Sequence, residues 1–212
     1  MNDDEIARAK AGVRRMVSDV LAELTPSRRR AASTALAQKL ANLPALRQAR
    51  TLMAFLSLPT EIDTWPIIRW AWGEGKRVAI PRIEPGAPGC ETPMGERTMV
   101  AVLLAPADVA AAEGHPAVRA GPLGILDAPD APVVPPAEID VVLAPCQAVD
   151  RSGNRLGKGG GFYDRFLGDP NLRAARIVVA FHEQVLDEIP TADWDRRVPM
   201  IVTDTEILTF DA

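Results

Sequence analysis

The sequence contains few of the residues that bind transition metals or form disulfides. Its 212 residues include two cysteines, Cys90 and Cys146, and two histidines, His115 and His182. Their spacing matches neither a zinc site nor a disulfide framework, so we expect both thiols to be reduced, as in a cytosol. Cys146 has no nearby histidine in the sequence to activate it. His182 lies at a strand end and could shuttle protons, but a hydrogen-bonded structural histidine is the favoured interpretation. We assign catalysis to neither.

Long apolar stretches and an excess of basic residues are also lacking. No stretch reaches the roughly 18 apolar residues of a membrane span, and the N-terminal MNDDEIARAKAGVRR has no apolar segment typical of a secretion signal. The 24 Lys and Arg residues are spread along a chain with a net charge of −4, which does not indicate a nucleic-acid-binding surface. We expect a cytoplasmic protein that binds neither nucleic acid nor membranes.

Two helices are predicted at the start of the chain. Apolar residues recur at the helical period between residues 3 and 24, so one face of this segment is expected to pack. Pro26 suits a first helical position, and Thr25 or Ser27 provides a cap. The second helix is expected to run to about Leu43.

Short apolar runs rich in β-branched residues follow, with helical segments between some of them. The runs span residues 51–58, 76–83, 139–145, 176–181 and 200–204, and the helical segments span 63–75 and 161–169. Because the runs lack strict polar and apolar alternation, they are typical of strands buried on both faces. We predict a single α/β domain over residues 1–212, with an open, mostly parallel sheet and helices on both faces.

The middle of the chain is rich in proline. Eleven of the nineteen prolines lie between residues 81 and 136, so we expect little regular structure at about 84–137. Long loops in compact domains are either functional or surface excursions. The sequence leaves open whether this region flanks a binding cleft.

A glycine-rich segment, GNRLGKGGGFYDRF at residues 153–166, connects the predicted strand at 139–145 to a predicted helix. Glycines let main-chain N–H groups approach an anion, and the start of a helix adds partial positive charge. Arg155 and Lys158 add full charges, so the segment predicts a phosphate site. Asp164 fits such a site if a divalent cation lies between it and the phosphates.

Two common nucleotide-binding motifs are excluded by spacing. GKGGGF does not match GxxxxGK[ST], and a GxGxxG motif would need glycine where Phe162 stands. The phosphate site predicted here is therefore of another type.

Several segments resemble the 5-formyltetrahydrofolate cyclo-ligase family, also called methenyltetrahydrofolate synthetases. They keep the family's order over nearly the full chain, and the glycine-rich segment is the most specific. The segments are AKAGVRR, FLSLPTEIDT, KRVAIPRI, LAPCQAVDRSGNRLGKGGGFYDRFL and VVAFHEQVLDEIPTADWDRRVPMIVTD. The resemblance implies a fold related to sugar-phosphate isomerases and CoA transferases.

The same resemblance implies an enzyme that uses ATP and Mg²⁺ to convert 5-formyltetrahydrofolate to 5,10-methenyltetrahydrofolate, with release of ADP and phosphate. The formyl oxygen leaves only after phosphoryl transfer from ATP. Such chemistry needs positioning and neutralisation of charge rather than a covalent nucleophile. We expect the partners to be a reduced folate and ATP, and the protein to be a monomer or a weak homodimer.

Site residues follow from the resemblance position by position. The residues expected to bind ATP are Lys10, Arg14, Arg155, Gly157, Lys158, Gly159, Gly160, Gly161, Phe162 and Tyr163. The residues expected to bind folate are Leu56, Glu61 and Tyr163, and those expected to be catalytic are Arg155, Lys158 and Tyr163. Asp164 and Asp195 resemble the magnesium ligands, although Asp193 is an alternative to Asp195.

The sequence departs from the family pattern at a few positions. Lys158 stands where arginine is common, and GILDAP at residues 124–129 replaces the usual G-I-x-E-P. These departures leave open a non-catalytic or divergent paralogue that binds nucleotide or folate. An enzyme of the same fold that acts on a phosphorylated sugar is a further alternative.

Overall fold

A computed structural model describes residues 2–86, 91–92, 95–107, 119–120, 126–192, 195 and 197–210. Its helices include α1 (Asp3–Ala22), α2 (Pro26–Asn42), α3 (Pro44–Gln48), α4 (Trp65–Gly73) and α5 (Phe162–Leu167). In the described part of the chain, no helix has the length and apolar character needed to cross a bilayer.

The first two helices begin at caps that the local sequence provides. The Asn2 side chain accepts a hydrogen bond from the Glu5 N–H, and the Glu5 carboxylate accepts one from the Asn2 N–H, both at 2.9 Å. Thr25 Oγ1 accepts from the Arg28 N–H at 3.2 Å, directly before Pro26. Each cap satisfies N–H groups that have no partner within the helix. The prediction of a cap at Thr25 is confirmed.

The strands are numbered in chain order. They are β1 (Thr51–Met53), β2 (Arg77–Pro85), β3 (Glu91–Thr92), β4 (Gly95–Leu103), β5 (Arg119–Ala120), β6 (Leu126–Asp127), β7 (Val133–Val134), β8 (Val141–Ala144), β9 (Ala148–Asp150), β10 (Arg155–Leu156), β11 (Ala175–Ala180), β12 (Val185–Leu186), β13 (Met200–Thr203) and β14 (Ile207–Thr209).

The main sheet is open and mixed, with a parallel centre. Its order is β14-β13-β11-β8-β1-β2-β4-β3, and β7 also pairs with β4. The pairings among β13, β11, β8, β1 and β2 are parallel, and the outer pairings are antiparallel. The fold-class prediction, an open and mostly parallel α/β sheet, is confirmed.

Helices cover both faces of this sheet. Val141 and Leu143 of β8 pack in a core with α1 to α4, whereas Val142 and Ala144 pack in a second core that includes Phe162 and Phe166 of α5. Because side chains alternate along a strand, β8 contributes to both cores and is buried throughout.

The prediction of little regular structure at about 84–137 is wrong for one segment. β4 pairs antiparallel with β2, with Ala79 opposite Leu103 at one end and Pro85 opposite Arg97 at the other. No proline occurs within β4, so every one of its residues keeps a backbone donor. The count of prolines over the whole region concealed this proline-free strand.

A small sheet leads to the glycine-rich segment. Its order is β10-β9-β12, and β9 and β10 form a hairpin. Asp150 accepts hydrogen bonds from the Ser152 and Asn154 N–H groups at 2.9 and 3.0 Å. Gly153 has φ +82°, and a Cβ there would lie 2.9 Å from the Val198 carbonyl oxygen. This turn fixes where β10 begins.

Candidate active site

Of two adjoining cavities, the first lies where the parallel strands β1 and β8 end. Pro145 and Cys146 directly follow β8, and Phe55 and Leu56 follow β1. The carboxyl ends of parallel strands are the usual ligand-binding edge of an open α/β sheet. The prediction of a strand at 51–58 is therefore too long, because β1 ends at Met53 and the following residues form a cavity wall.

The first of the two cavities, called the apolar cavity, has a volume of about 300 Å³. Most of its wall is hydrophobic, and the hydrophobic residues include Phe55, Leu56, Leu58, Pro81, Ile83, Met99, Phe162 and Tyr163. Its charged wall consists of Glu61, Arg155, Lys158 and Asp164. A small apolar space with a few charged groups is typical of a site for a flat organic ligand.

Glu61 is held in a fixed position in the apolar cavity. One carboxylate oxygen accepts a hydrogen bond from the Leu58 N–H at 2.9 Å, and the other pairs with Lys158 Nζ at 2.6 Å. The Glu61 side chain is 13% exposed and that of Lys158 is 47% exposed. The lysine can therefore leave the pair for solvent or a ligand more easily than the carboxylate can.

Tyr163 lines the same cavity, and its hydroxyl oxygen is buried. No group in the described residues forms a hydrogen bond with this oxygen, and the Arg155 guanidinium lies 5.9 Å from the ring centroid. Burial, with a further contribution from the Glu61 charge, raises the pKa of Tyr163. The hydroxyl stays neutral and able to donate a hydrogen bond.

The glycines of the loop adopt conformations that side chains rarely allow. Gly159 has φ +107° and Gly161 has φ +64°. A Cβ at Gly160 would lie 2.7 Å from the Phe162 ring. The loop therefore needs glycine for two reasons, left-handed backbone and close approach of an aromatic ring.

Gly160→Ala is expected to destabilise the protein by about 1–3 kcal/mol, because Phe162 is buried and has to shift to admit the methyl group. Urea unfolding measures the change. Gly12→Ala is the matched control, because a Cβ at Gly12 in α1 meets nothing within 4 Å. That change should stabilise the protein by about 0.5–1 kcal/mol. A neutral effect at Gly160 would contradict the packing argument.

The second of the two adjoining cavities, called the cationic cavity, has a volume of about 770 Å³. Lys10 and Arg14 of α1 line it together with Gly159, Arg165 and Asp195. The two cavities share Arg155, Gly157, Gly161 and Asp164. Asp164 and its neighbours on the loop thus form a common wall.

Arg14 links α1 to the glycine loop. Its Nε donates a hydrogen bond to the Gly157 carbonyl oxygen at 2.8 Å. Burial lowers the pKa of Arg14, while Asp195 and Asp164 act in the opposite direction. A guanidinium remains charged at neutral pH even so, so Arg14 keeps a positive charge beside the loop.

Arg155 is the most buried cation of the site, with its side chain 2% exposed. Its terminal nitrogens donate to the Pro145 carbonyl oxygen at 3.1 Å and to Asp164 at 2.5 Å. Its Nε has no hydrogen-bond partner in the described part of the chain. Arg155 therefore joins the end of β8 to the start of α5.

The two carboxylates predicted to bind magnesium are each paired with a cation. Asp164 pairs with Arg155, and Asp195 pairs with Lys10 at 2.5 Å and accepts from the Ala192 N–H at 2.7 Å. Both carboxylates line the cationic cavity. The alternative ligand, Asp193, lies outside the described residues.

The residues predicted to bind ATP divide between the two cavities. Lys10, Arg14 and Gly159 line the cationic cavity, and Arg155, Gly157 and Gly161 line both. The rest line the apolar cavity: Lys158, Gly160, Phe162 and Tyr163. Leu56 and Glu61, predicted for folate, also line the apolar cavity. The roles of all these residues stay predictions.

Sequence reasoning missed two glutamines beside the site. Gln147 Nε2 donates to Ser18 Oγ at 2.9 Å and to the Arg14 carbonyl oxygen at 3.2 Å. Gln184 Nε2 donates to the Cys146 and Gln147 carbonyl oxygens at 2.8 and 3.1 Å. Together they hold α1 and the segment after β8. Both glutamines lie in segments of the resemblance, but no motif in the sequence marks either one for this role.

Cys146 and His182 have the structural surroundings that the sequence suggested. Burial raises the pKa of the Cys146 thiol to about 12, so it is not a thiolate at neutral pH. His182 Nδ1 lies 3.0 Å from Thr205 Oγ1, and His182 lines neither the apolar nor the cationic cavity.

A sequence model of the 5-formyltetrahydrofolate cyclo-ligase family matches residues 6–204. The chain belongs to this family. The predicted resemblance, and with it the prediction of an enzyme, is confirmed.

Individual relatives agree with this membership. The 5-formyltetrahydrofolate cyclo-ligase of Escherichia coli K12 is 29% identical over 87% of this chain and 94% of its own. The cyclo-ligase of Mycolicibacterium smegmatis is 31% identical over 73% of each chain. The solved 5,10-methenyltetrahydrofolate synthetase of Aquifex aeolicus covers 96% of this cyclo-ligase family member and 93% of its own chain, with a TM-score of 0.76 and 23% identity. The last comparison supports the fold alone.

Proposed function

We propose that this protein is an ATP-dependent 5-formyltetrahydrofolate cyclo-ligase, which forms 5,10-methenyltetrahydrofolate, ADP and phosphate. The observation that carries the proposal is the common wall between an apolar cavity that contains the Glu61 carboxylate and a cavity lined by four cations and three aspartates. A reaction that moves phosphoryl from ATP to a folate needs the two ligands to meet at such a wall. Both cavities belong to one chain, which suits a single domain over residues 1–212 acting as a monomer or a weak homodimer.

The apolar cavity suits the pterin ring of the folate. Leu56 and its apolar neighbours would exclude water from the ring faces. Glu61 can accept two hydrogen bonds from the amino-pyrimidine edge, because its two oxygens lie in one plane. The Tyr163 hydroxyl, buried and without a partner among the described residues, would donate to the formyl oxygen.

The cationic cavity suits the triphosphate of ATP. Lys10 and Arg14 provide charge from one face of α1, since residues four apart on a helix are neighbours. Gly159 and Gly161 expose main-chain N–H groups without a Cβ in the way. The shared position of Arg155 would put it next to the phosphoryl group that is transferred.

Magnesium fits the carboxylates that are present. Mg²⁺ usually takes one or two carboxylates together with phosphate oxygens and water, and Asp164 and Asp195 line one cavity. The described residues contain no group of three or more metal-binding side chains, so ATP would have to supply further oxygens. When bound, the ion would neutralise charge on the phosphates.

The chemistry proceeds by activation of a poor leaving group. The formyl oxygen attacks the γ-phosphorus, the bond to the β-phosphate oxygen breaks, and ADP leaves. The folate N10 then attacks the formyl carbon, N10 loses its proton, and the C–O bond breaks to release phosphate and leave the methenyl bridge. Lys158 and Arg155 stabilise charge on the phosphoryl oxygens, and the apolar cavity excludes water that would otherwise hydrolyse the phosphorylated intermediate.

A spectrophotometric assay tests the proposal. Purified protein is mixed with 5-formyltetrahydrofolate and Mg²⁺, and the near-ultraviolet absorbance of the methenyl product is followed with and without ATP. We expect absorbance to grow only with ATP, and ADP to be released only when folate is present. ADP release without folate, or no product from protein that binds ATP, would favour a divergent paralogue.

Tyr163→Phe is expected to lower turnover about three- to tenfold, the effect of one neutral hydrogen bond. The free energy of unfolding should stay unchanged or rise by about 1 kcal/mol, because the variant removes a buried polar group that has no partner in the described residues. The assay above and urea unfolding measure the two effects. A clear loss of stability would show that the hydroxyl has a partner in the folded protein.

A further inference from the structure

The Glu61–Lys158 ion pair joins two groups to which the proposed function gives different ligands. Glu61 belongs to the loop between β1 and α4 and would bind the pterin edge. Lys158 belongs to the glycine loop and would bind phosphate. Their side chains meet at 2.6 Å, and both residues also line a third cavity of about 250 Å³. The pair thus stands between two cavities at the edge of the site.

The ion pair competes with the ligands proposed for its two members. An amino-pyrimidine edge that uses both carboxylate oxygens would compete with Lys158 at one oxygen and with the Leu58 N–H at the other. A phosphate would likewise compete with this carboxylate for the ammonium group of Lys158. The half-exposed side chain of Lys158 leaves room to turn toward a phosphate.

We propose that the Glu61–Lys158 pair couples the binding of the reduced folate to that of ATP. A folate that takes the Glu61 carboxylate releases Lys158 for the phosphates. ATP that takes Lys158 releases the carboxylate in return, because coupling between two sites is reciprocal. The inference rests on the proposed function, and it adds positive cooperativity between the two substrates.

The expected size of the coupling follows from the exposure of the pair. An ion pair with one half-exposed partner contributes up to about 1 kcal/mol to stability. If that energy is lost or regained on binding, affinity changes about fivefold. We therefore expect a three- to fivefold effect.

Isothermal titration calorimetry with Mg·ATP, without folate, tests the release of Lys158. Glu61→Gln keeps an oxygen for the Leu58 N–H and removes the charge that holds Lys158. It should bind ATP three- to fivefold more tightly than the parent protein. Asp63→Asn is the matched control, because it removes one negative charge from the same loop and keeps the oxygen that accepts from the Trp65 N–H. Its ATP affinity should stay within twofold.

A second titration measures the coupling itself. A non-hydrolysable ATP analogue is titrated into the parent protein with and without saturating 5-formyltetrahydrofolate, and folate should tighten the analogue three- to fivefold. Equal effects of Glu61→Gln and Asp63→Asn would overturn the inference, as would an unchanged ATP affinity in Glu61→Gln. A parent protein that binds no ATP would instead overturn the proposed function.

Discussion

Lys158→Ala is expected to lower turnover about 10²–10³-fold and to change the free energy of unfolding by no more than about 1 kcal/mol. The loss of turnover follows from removing one full charge that would stabilise the transferred phosphoryl group. The small effect on stability follows from exposure, since the side chain is 47% exposed and, among the described residues, its ion pair is with Glu61.

Arg151→Ala is the matched control for Lys158→Ala. Arg151 lies in the hairpin turn that precedes the glycine loop, its side chain is 52% exposed, and it pairs with Glu206 at 3.4 Å. Removing it takes away the same charge at similar exposure but outside both cavities, so turnover should stay within twofold. The methenyl assay and urea unfolding give both quantities. Equal turnover in the two variants would argue against a phosphoryl role for Lys158.

Three ion pairs of the site would balance the positive charge of the proposed phosphate-binding groups. Lys10 pairs with Asp195, Arg155 with Asp164, and Lys158 with Glu61. Three of the cations that would bind phosphate thus have a carboxylate partner, which lowers the repulsion among clustered positive charges. Arg14 instead donates to the Gly157 carbonyl oxygen. Phosphates that replace these carboxylates would free two aspartates for a metal ion. Binding of ATP and of magnesium would then favour each other.

The elements that local sequence determines were predicted well. Helical periodicity and Pro26 gave the first two helices to within about two residues, and the unbroken apolar runs gave the parallel strands of the sheet. β4 was missed because the average over a proline-rich region hides one proline-free strand. Its pairing with β2 depends on tertiary contact rather than on local preference.

Contacts between distant parts of the chain could not be predicted from patterns. Lys10 and Asp195 are 185 residues apart, and Arg14 and Gly157 are 143 apart. Family resemblance named these residues, but neither spacing nor composition indicates that they touch. Gln147 is another example. Its side-chain amide contacts α1, but no sequence motif marks such a residue. Its role is therefore recognised only in the folded structure.

Arg155→Met should lower both stability and turnover, in contrast to Lys158→Ala. Methionine has a similar length, so the change removes charge and hydrogen bonds without a large cavity. The variant leaves the Pro145 carbonyl oxygen and the Asp164 carboxylate without the partner they have at 3.1 and 2.5 Å. We expect the free energy of unfolding to fall by about 2–4 kcal/mol, since Asp164 is partly exposed, and Tm to fall by about 5–15 °C.

The double variant Arg155→Met with Asp164→Asn separates the two effects. Removing the unpaired carboxylate should restore about 1–2 kcal/mol of the lost stability, because part of the loss comes from leaving a charge without its partner. Turnover should stay at least about 10²-fold below that of the parent protein, because the cation at the common wall is still missing. Recovery of stability together with turnover would mean that Arg155 only holds α5 against the end of β8. Asp164→Asn alone is the reference for turnover, because Asp164 is itself a proposed magnesium ligand. Recovery of stability with turnover well below that of Asp164→Asn would assign Arg155 a direct contact with the transferred phosphoryl group.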